Sequence, residues 1–281
     1  MSAVPLHVAV DGPPGAPAVL LLGSLGSTAV MWDSQMPALA AQFRVVRPDT
    51  RGHGGSPTPS GPYGIDDLVD DAVSLLDGLE IDRAHVVGLS LGGMTAIRLA
   101  AREPDRVDRL ALLCTSARLG PAQAWADRAA LVRSEGTMAV ASSVVERWFT
   151  PSLRRADPAL VGRMERMVAE TPPEGYASCC TAIERMDLRP DLVRIRAATL
   201  AIAGADDPAT PPEHLAAIVE GILGAIPNGD PTAGRADARA ELLVLDQAAH
   251  LANVEQSEAV NAALLAHLLD GGPANTTEEE R

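Results

Sequence analysis

Gly88-Leu89-Ser90-Leu91-Gly92 has the residue types and spacing of a serine nucleophile held on a sharp turn. It follows an apolar run, Ala84 to Val87, and precedes Gly93 to Ala100, a segment of good helix formers. A strand, a tight turn and a helix in that order lift the Ser90 hydroxyl clear of the sheet and aim the Leu91 N–H at an oxyanion. Gly88 and Gly92 lack the Cβ atoms that would collide where strand and helix nearly touch. Alone, the five residues are a weak signal, so the partners such a serine needs must be sought along the chain.

The first partner is a general base, and a serine hydrolase of the α/β type carries it on a loop after the last strand, in the chain order Ser, acid, His. Position separates the six histidines. His7, His85 and His267 fall in the first strand, the nucleophile strand and the final helix, where structural or surface roles are expected. His214 opens a helix after Pro211-Pro212-Glu213, and His53 precedes Ser90 in a glycine-rich loop. His250, in Asp246-Gln247-Ala248-Ala249-His250-Leu251, alone has the base position. For the acid, Gly204-Ala205-Asp206-Asp207-Pro208 offers two carboxylates just past a strand. Asp207 is the choice by its spacing from Gly204, with Asp206 as the alternative and otherwise a turn residue. The second oxyanion donor is assigned to Leu25 N–H in Gly23-Ser24-Leu25-Gly26-Ser27, in the loop expected after the third strand. In Asp49-Thr50-Arg51-Gly52-His53-Gly54-Gly55-Ser56, Arg51 and His53 are expected to organise loops rather than react.

These loops need a sheet to carry them. Short apolar runs alternate with helical stretches, the pattern of a parallel sheet covered on both faces. Leu6–Val10 and Ala18–Leu22 flank Asp11-Gly12-Pro13-Pro14-Gly15 and read as an opening hairpin. Phe43–Val46, Ala84–Val87, Val107–Leu113, Ala198–Ala203 and Leu242–Leu245 are further strands. Helices are expected near Trp32–Ala41, over Ile65–Leu79 on its apolar stripe, and over Glu258–Leu269. The expected fold is α/β: an α/β-hydrolase fold with a mostly parallel eight-stranded sheet and a helical cap after strand six. Residues 1–115 and 191–270 would form the core, 116–190 the cap and 271–281 a disordered tail. Trp125, Trp148, Phe149 and Tyr176, four of seven aromatics, lie in the 116–190 stretch, which reads as a cap; an ordinary helical lobe without substrate contact is the alternative. Asn228–Ala240 has no periodicity and reads as a mobile loop.

Composition narrows the chemistry. All 23 basic residues are arginine, which excludes Schiff-base chemistry and a P-loop lysine. A net charge of −14 argues against nucleic acid and anionic membrane surfaces as partners. Three cysteines without C-x-x-C spacing, Cys114, Cys179 and Cys180, fit neither a disulfide framework nor a zinc site, and point to reduced thiols in a cytoplasmic protein. The first 25 residues lack a signal-peptide pattern, and no apolar run has membrane-spanning length. No metal-ligand spacing and no Gly-x-Gly-x-x-Gly after the first strand occur, and hydrolysis through an acyl-enzyme on Ser90 requires no cofactor.

Further segments make the chain resemble the 3-oxoadipate enol-lactonases of aromatic-acid catabolism, over about Leu6 to Leu269. The telling ones are Ser24-Leu25-Gly26 and Arg147-Trp148-Phe149-Thr150-Pro151; Met31-Trp32-Asp33-Ser34-Gln35, Gly61-Pro62-Tyr63, Gly175-Tyr176-Ala177, Ala209-Thr210-Pro211-Pro212 and Ala248 to Glu255 accompany them. The longer Asn228–Ala240 loop and the acidic tail depart from the pattern, away from the triad. The resemblance implies a small-molecule lactone substrate, (5-oxo-4,5-dihydrofuran-2-yl)acetate, opened by water to 3-oxoadipate. A carboxylated substrate meeting an acidic protein needs a local cation. Arg128 and Arg147 are the candidates, with Trp125 and Trp148 as an apolar wall, against the alternative that each arginine sits on a solvated helix face. A broad carboxylesterase and a non-catalytic ligand receptor are the competing readings, and self-association is left open.

Overall fold

The computed structural model describes residues 2–224 and 239–270. Its strands are β1 (Val8–Asp11), β2 (Ala18–Leu22), β3 (Arg44–Pro48), β4 (Ala84–Leu89), β5 (Val107–Leu113), β6 (Ala198–Gly204) and β7 (Ala240–Leu245). They form one sheet in the order β1-β3-β2-β4-β5-β6-β7, parallel except for β1. β2 and β4 are buried at every position, as central strands of a sheet covered on both faces must be.

Two expectations are corrected here. The described residues give seven strands, not eight, so the helical insertion follows the fifth strand and the Gly23–Ser27 loop follows the second. Only two strand-forming runs precede that loop, where a full eight-stranded count needs three. Nor do the first two strands pair as a hairpin, because β3 lies between them, antiparallel to β1 and parallel to β2. The burial pattern explains the swap. Fully apolar β2 requires a neighbour on each side, while half-exposed β1 tolerates the sheet edge.

The helices are α1 (Met36–Leu39), α2 (Ile65–Gly78), α3 (Leu91–Arg102), α4 (Ala122–Glu135), α5 (Met138–Trp148), α6 (Pro151–Ala156), α7 (Pro158–Ala169), α8 (Pro173–Arg185), α9 (Pro212–Leu223), α10 (Ala252–Glu255) and α11 (Ser257–Leu269). The first expected helix is a 3₁₀ stretch, Ala29–Gln35, running into α1. α2 buries Ile65, Leu68, Val69, Ala72 and Leu76, the stripe read from the sequence. Helices α4 to α8 all fall between β5 and β6. The Leu188 N–H donates to the Ala117 carbonyl at 2.8 Å and closes the base of this insertion. Among the described residues no helix is long and apolar enough to cross a membrane. Most of the Asn228–Ala240 loop and all of 271–281 lie outside the described residues; Ala240 itself opens β7.

Because the central strands are parallel, the loops after β2, β4, β6 and β7 leave the same edge of the sheet. Open α/β sheets place their ligands at that edge. Each of these loops carries one of the residues singled out from the sequence.

Candidate active site

Ser90 joins β4 to α3 with φ 56° and ψ −115°, a conformation an L-residue holds only when its surroundings fix it. Three bonds do so. The Ser90 N–H donates to the Leu113 carbonyl at 3.0 Å, and the Ser90 carbonyl accepts from Met94 N–H at 2.9 Å and Thr115 Oγ at 2.7 Å. The flanking glycines have no freedom to change. A Cβ on Gly88 would lie 2.3 Å from the Gly92 carbonyl oxygen, and one on Gly92 would lie 2.1 Å from that of Leu22. The fold thus forces the serine out of the strand line by letting α3 start almost in contact with β2.

His250 stands in the loop after β7, and its Nδ1 lies 2.8 Å from Asp207 Oδ2. Asp207 is buried to 3% exposure and is otherwise fully bonded. Thr210 Oγ donates to Oδ2 at 2.7 Å, while the N–H groups of Ala209 and Thr210 donate to Oδ1 at 2.8 and 3.1 Å. Burial alone would raise this carboxyl, but the charge and hydrogen bond of His250 and the bonds from Thr210 outweigh it and hold it at about 2. It is therefore a carboxylate across the working pH range, able to fix the imidazole tautomer. Asp206 is exposed, with its N–H bonded to the Ala248 carbonyl at 2.9 Å. Of the two acids, Asp207 is the one that reaches the histidine.

Leu91 is the first residue of α3, so its N–H has no acceptor within the helix. Leu25 sits between two engaged neighbours: Ser24 N–H donates to Met31 Sδ at 3.2 Å, and Gly26 N–H to His53 Nε2 at 2.9 Å. Among the described residues the Leu25 N–H has no such acceptor. His53 is fully buried, and its Nδ1 faces the Arg51 carbonyl at 3.1 Å. Burial drives it down to about 4, so the neutral ring donates from Nδ1 and accepts at Nε2. Arg51, also fully buried, clasps Asp71 through Nε and Nη2 at 2.5 and 2.6 Å and lies 5.4 Å from the Tyr63 ring. Both residues shape loops, as their position before Ser90 implied.

Ser90 and His250 line one cavity of about 290 Å³ with Leu25, Trp125, Arg128, Arg147 and Trp148. Every residue proposed from the sequence for the binding wall therefore reaches the same space, and so do both proposed cations. The Arg128 guanidinium lies 4.8 Å from the Trp125 ring. Burial and the neighbouring Arg128 both push Arg147 below the ordinary guanidinium value. Neither arginine pairs with an acidic side chain among the described residues, although arginine forms 16 ion pairs elsewhere in them. Two adjacent unneutralised cations at the wall of a small cavity suit an anionic ligand.

The comparisons agree with this geometry. A family model for the α/β-hydrolase fold matches residues 17–256. The chain is 39% identical over 261 residues to 3-oxoadipate enol-lactonase 2 of Acinetobacter baylyi, covering 93% of this chain and 92% of that protein. The chain belongs to the 3-oxoadipate enol-lactonase family of α/β-hydrolases. The crystal structure of the enol-lactonase from Burkholderia xenovorans superposes with a TM-score of 0.87 at 38% identity, covering 94% of this chain and 96% of that one. A thermophilic esterase from Thermogutta terrifontis also superposes, with a TM-score of 0.83 at 29% identity, covering 94% of this chain and 92% of that one.

Several residues of this enol-lactonase site had no role assigned from sequence. Tyr176 lines the cavity, fully buried, and Ser24 and Val144 complete parts of its wall. Thr210 holds Asp207, and Glu255 bonds Ala249 N–H at 2.8 Å and Thr150 Oγ at 2.5 Å, joining the histidine loop to the end of α5. Tyr176, Thr210, Thr150 and Glu255 all stand in segments that carry the family resemblance, which was the available signal. Gly175 makes the same point. A Cβ there would lie 2.2 Å from the Gly52 carbonyl oxygen, so the two glycines let the inserted helices close onto the loop that holds His53.

Proposed function

We propose that the protein hydrolyses 3-oxoadipate enol-lactone, (5-oxo-4,5-dihydrofuran-2-yl)acetate, to 3-oxoadipate, with Ser90, His250 and Asp207 as its catalytic triad. The observation that carries the reading is the meeting of Ser90 and His250 with two acid-free arginines in one small cavity. Ser90 Oγ attacks the ring carbonyl as His250 Nε2 takes its proton, and Leu25 and Leu91 N–H groups receive the developing oxyanion. Collapse breaks the ring C–O bond, and the departing enolate takes the proton from His250. The tethered enol becomes the ketone. Water, deprotonated by His250, then cleaves the acyl-enzyme and frees Ser90. Asp207 steadies the imidazolium in both halves without taking its proton. An enol is a good leaving group, so a triad and an oxyanion hole supply the electrostatic help this ring opening needs.

The arginines give the reading its substrate class. An acidic protein repels a small anion at long range, and only a fixed local cation reverses that near the serine. The substrate is a small molecule, and a cavity of about 290 Å³ suits a single small ring better than a long acyl chain. Buried, unpaired Cys114, Cys179 and Cys180 support a reducing, cytoplasmic setting.

The test is hydrolysis of the enol-lactone beside a neutral aryl ester of similar size. The expected result is a kcat/KM for the lactone at least ~100-fold higher, as a charge-assisted contact made in the transition state allows. Preference for the aryl ester would make the protein a carboxylesterase. Tight binding of the lactone without turnover would make it a receptor.

A further inference from the structure

Tyr176 stands in the first turn of α8 with its side chain wholly removed from solvent, yet it lines the catalytic cavity. Among the described residues nothing accepts a hydrogen bond from its hydroxyl; the polar neighbour in reach, the Arg128 guanidinium, can only donate to it. A buried phenol left without an acceptor forfeits on the order of 1–3 kcal/mol, and native structures rarely tolerate that unless something else is meant to bind. The surroundings say what that something is. Arg128 and Arg147 line the same cavity, and their positive charges act on the Tyr176 hydroxyl. Burial, with a contribution from Cys180, nevertheless outweighs them and keeps the phenol protonated. It is a donor at all working pH values.

The site is also rigidly built. Gly26, at φ 80°, leaves room for the Tyr176 ring: a Cβ there would approach Tyr176 Cε2 to 3.1 Å. The Gly52–Gly175 backbone contact fixes the start of α8 one residue away. Tyr176 therefore packs against the turn that carries Leu25, and its position is tied to the oxyanion loop rather than to the outer helices. Two guanidinium groups can attract an anion but hold it in many orientations. One neutral donor at a fixed distance from the oxyanion loop selects a single one.

We infer that the Tyr176 hydroxyl is a specificity-determining donor that, with Arg128 and Arg147, binds the carboxylate of the substrate and sets its distance from Ser90. The inference rests on the reading of the substrate as a carboxylated lactone, and it adds the residue that positions the acid arm. A ligand with its carboxylate on a short flexible arm gains from such a donor, and a neutral ester gains nothing.

The experiment compares wild type with Tyr176→Phe, which keeps the ring and removes only the donor. Two readouts are taken. The first is kcat/KM for the enol-lactone relative to a neutral aryl ester, and that ratio is expected to fall ~10- to 100-fold, mostly through KM. The second is inhibition of aryl ester hydrolysis by adipate, an unreactive dicarboxylate, whose Ki is expected to rise by a similar factor. An unchanged ratio with an unchanged Ki overturns the inference. A wild type that is inhibited by adipate but does not open the enol-lactone overturns the proposed substrate and leaves the Ki comparison to decide Tyr176. Should Tyr176→Phe unfold, Tyr176→Trp and the thermal shift given by adipate with wild type and variant decide the same question.

Discussion

The Leu251 N–H donates to the Trp148 carbonyl at 2.9 Å. This bond joins the residue after the proposed catalytic histidine to the residue that closes α5 and walls the cavity. Glu255 runs parallel to it, with Oε1 accepting from Thr150 N–H and Oγ and Oε2 from Ala249 N–H. The base and the binding wall are therefore one hydrogen-bonded unit, although about a hundred residues separate them in sequence. A shift in the wall would carry the histidine with it.

Glu255→Ala should consequently damage catalysis without touching substrate. Three donors lose a charged acceptor, which predicts a loss of about 2–4 kcal/mol of stability and a fall in kcat of ~10-fold or more. Glu255→Gln should be intermediate, since its amide presents a donor to one set of donors. Thermal melts and kcat on the aryl ester check both; a Glu255→Ala enzyme with wild-type kcat would show that the two segments are not coupled.

Ser90→Ala should leave a folded protein whose hydrolysis falls by ~10³-fold or more, the effect of removing a triad nucleophile. Alanine also faces the strained φ of 56° at this position, so a small stability change is expected in either direction. Activity near wild type in a preparation free of other hydrolases would remove Ser90 from the mechanism.

Asp207→Asn should reduce turnover far more than Asp206→Asn. Only Asp207 contacts His250, and an amide at 207 would offer the imidazole a donor where it now finds an acceptor. The Asp207→Asn loss should approach ~10⁴-fold in kcat, while Asp206→Asn stays within about 3-fold. The reverse order would transfer the acid role to Asp206.

His53 makes folding pH-dependent in a stated direction. Its folded value, about 4, lies below the ordinary 6.5, so between those values the unfolded chain binds the extra proton. The stability this neutral histidine contributes is thus complete above about pH 6.5 and is lost as pH falls toward 4. Across that window the loss is on the order of 3 kcal/mol. Urea midpoints at pH 7 and pH 4.5 should differ more for wild type than for His53→Gln. The Asp207 carboxylate adds its own loss only below about pH 4, because its folded value of about 2 lies beneath the ordinary 3.8. Equal pH slopes in wild type and His53→Gln would show that His53 is not held neutral.

Much of the site was legible because local rules placed it. The nucleophile turn, the histidine in the loop after the last strand and the acid after Gly204 follow from strand-loop order, which short-range patterns encode. What sequence did not disclose depends on contacts between distant segments. Nothing local to Glu255 says that it meets Thr150, and nothing local to Tyr176 says that its hydroxyl ends without an acceptor beside two arginines. The opening hairpin failed for a related reason. A turn of glycine and prolines reverses the chain, but whether the next strand pairs with its predecessor was decided by β2's need for a neighbour on both sides. The half-buried state of Arg128 and Arg147 was equally invisible, since an arginine on a helix reads as solvated until the helices around it are placed.

Those two arginines carry the last prediction. If the carboxylate of the substrate is what they neutralise, replacing them must hurt a charged lactone more than a neutral ester. Each charge-assisted hydrogen bond contributes on the order of 1.5–3 kcal/mol, so Arg128→Ala and Arg147→Ala should each raise KM for the enol-lactone by ~10-fold or more. The stronger effect is expected at Arg147, whose charged form works against both burial and the Arg128 charge, a repulsion an anion would relieve. The double variant should lose less than the product of the single effects, since removing one cation already eases the crowding of the other. Trp148→Ala should impair the lactone and the ester alike, because it removes apolar wall and loosens the segment that Leu251 grips. If both single variants leave the ratio of lactone to ester efficiency unchanged, the acid arm is held elsewhere and the cavity's cations serve packing alone.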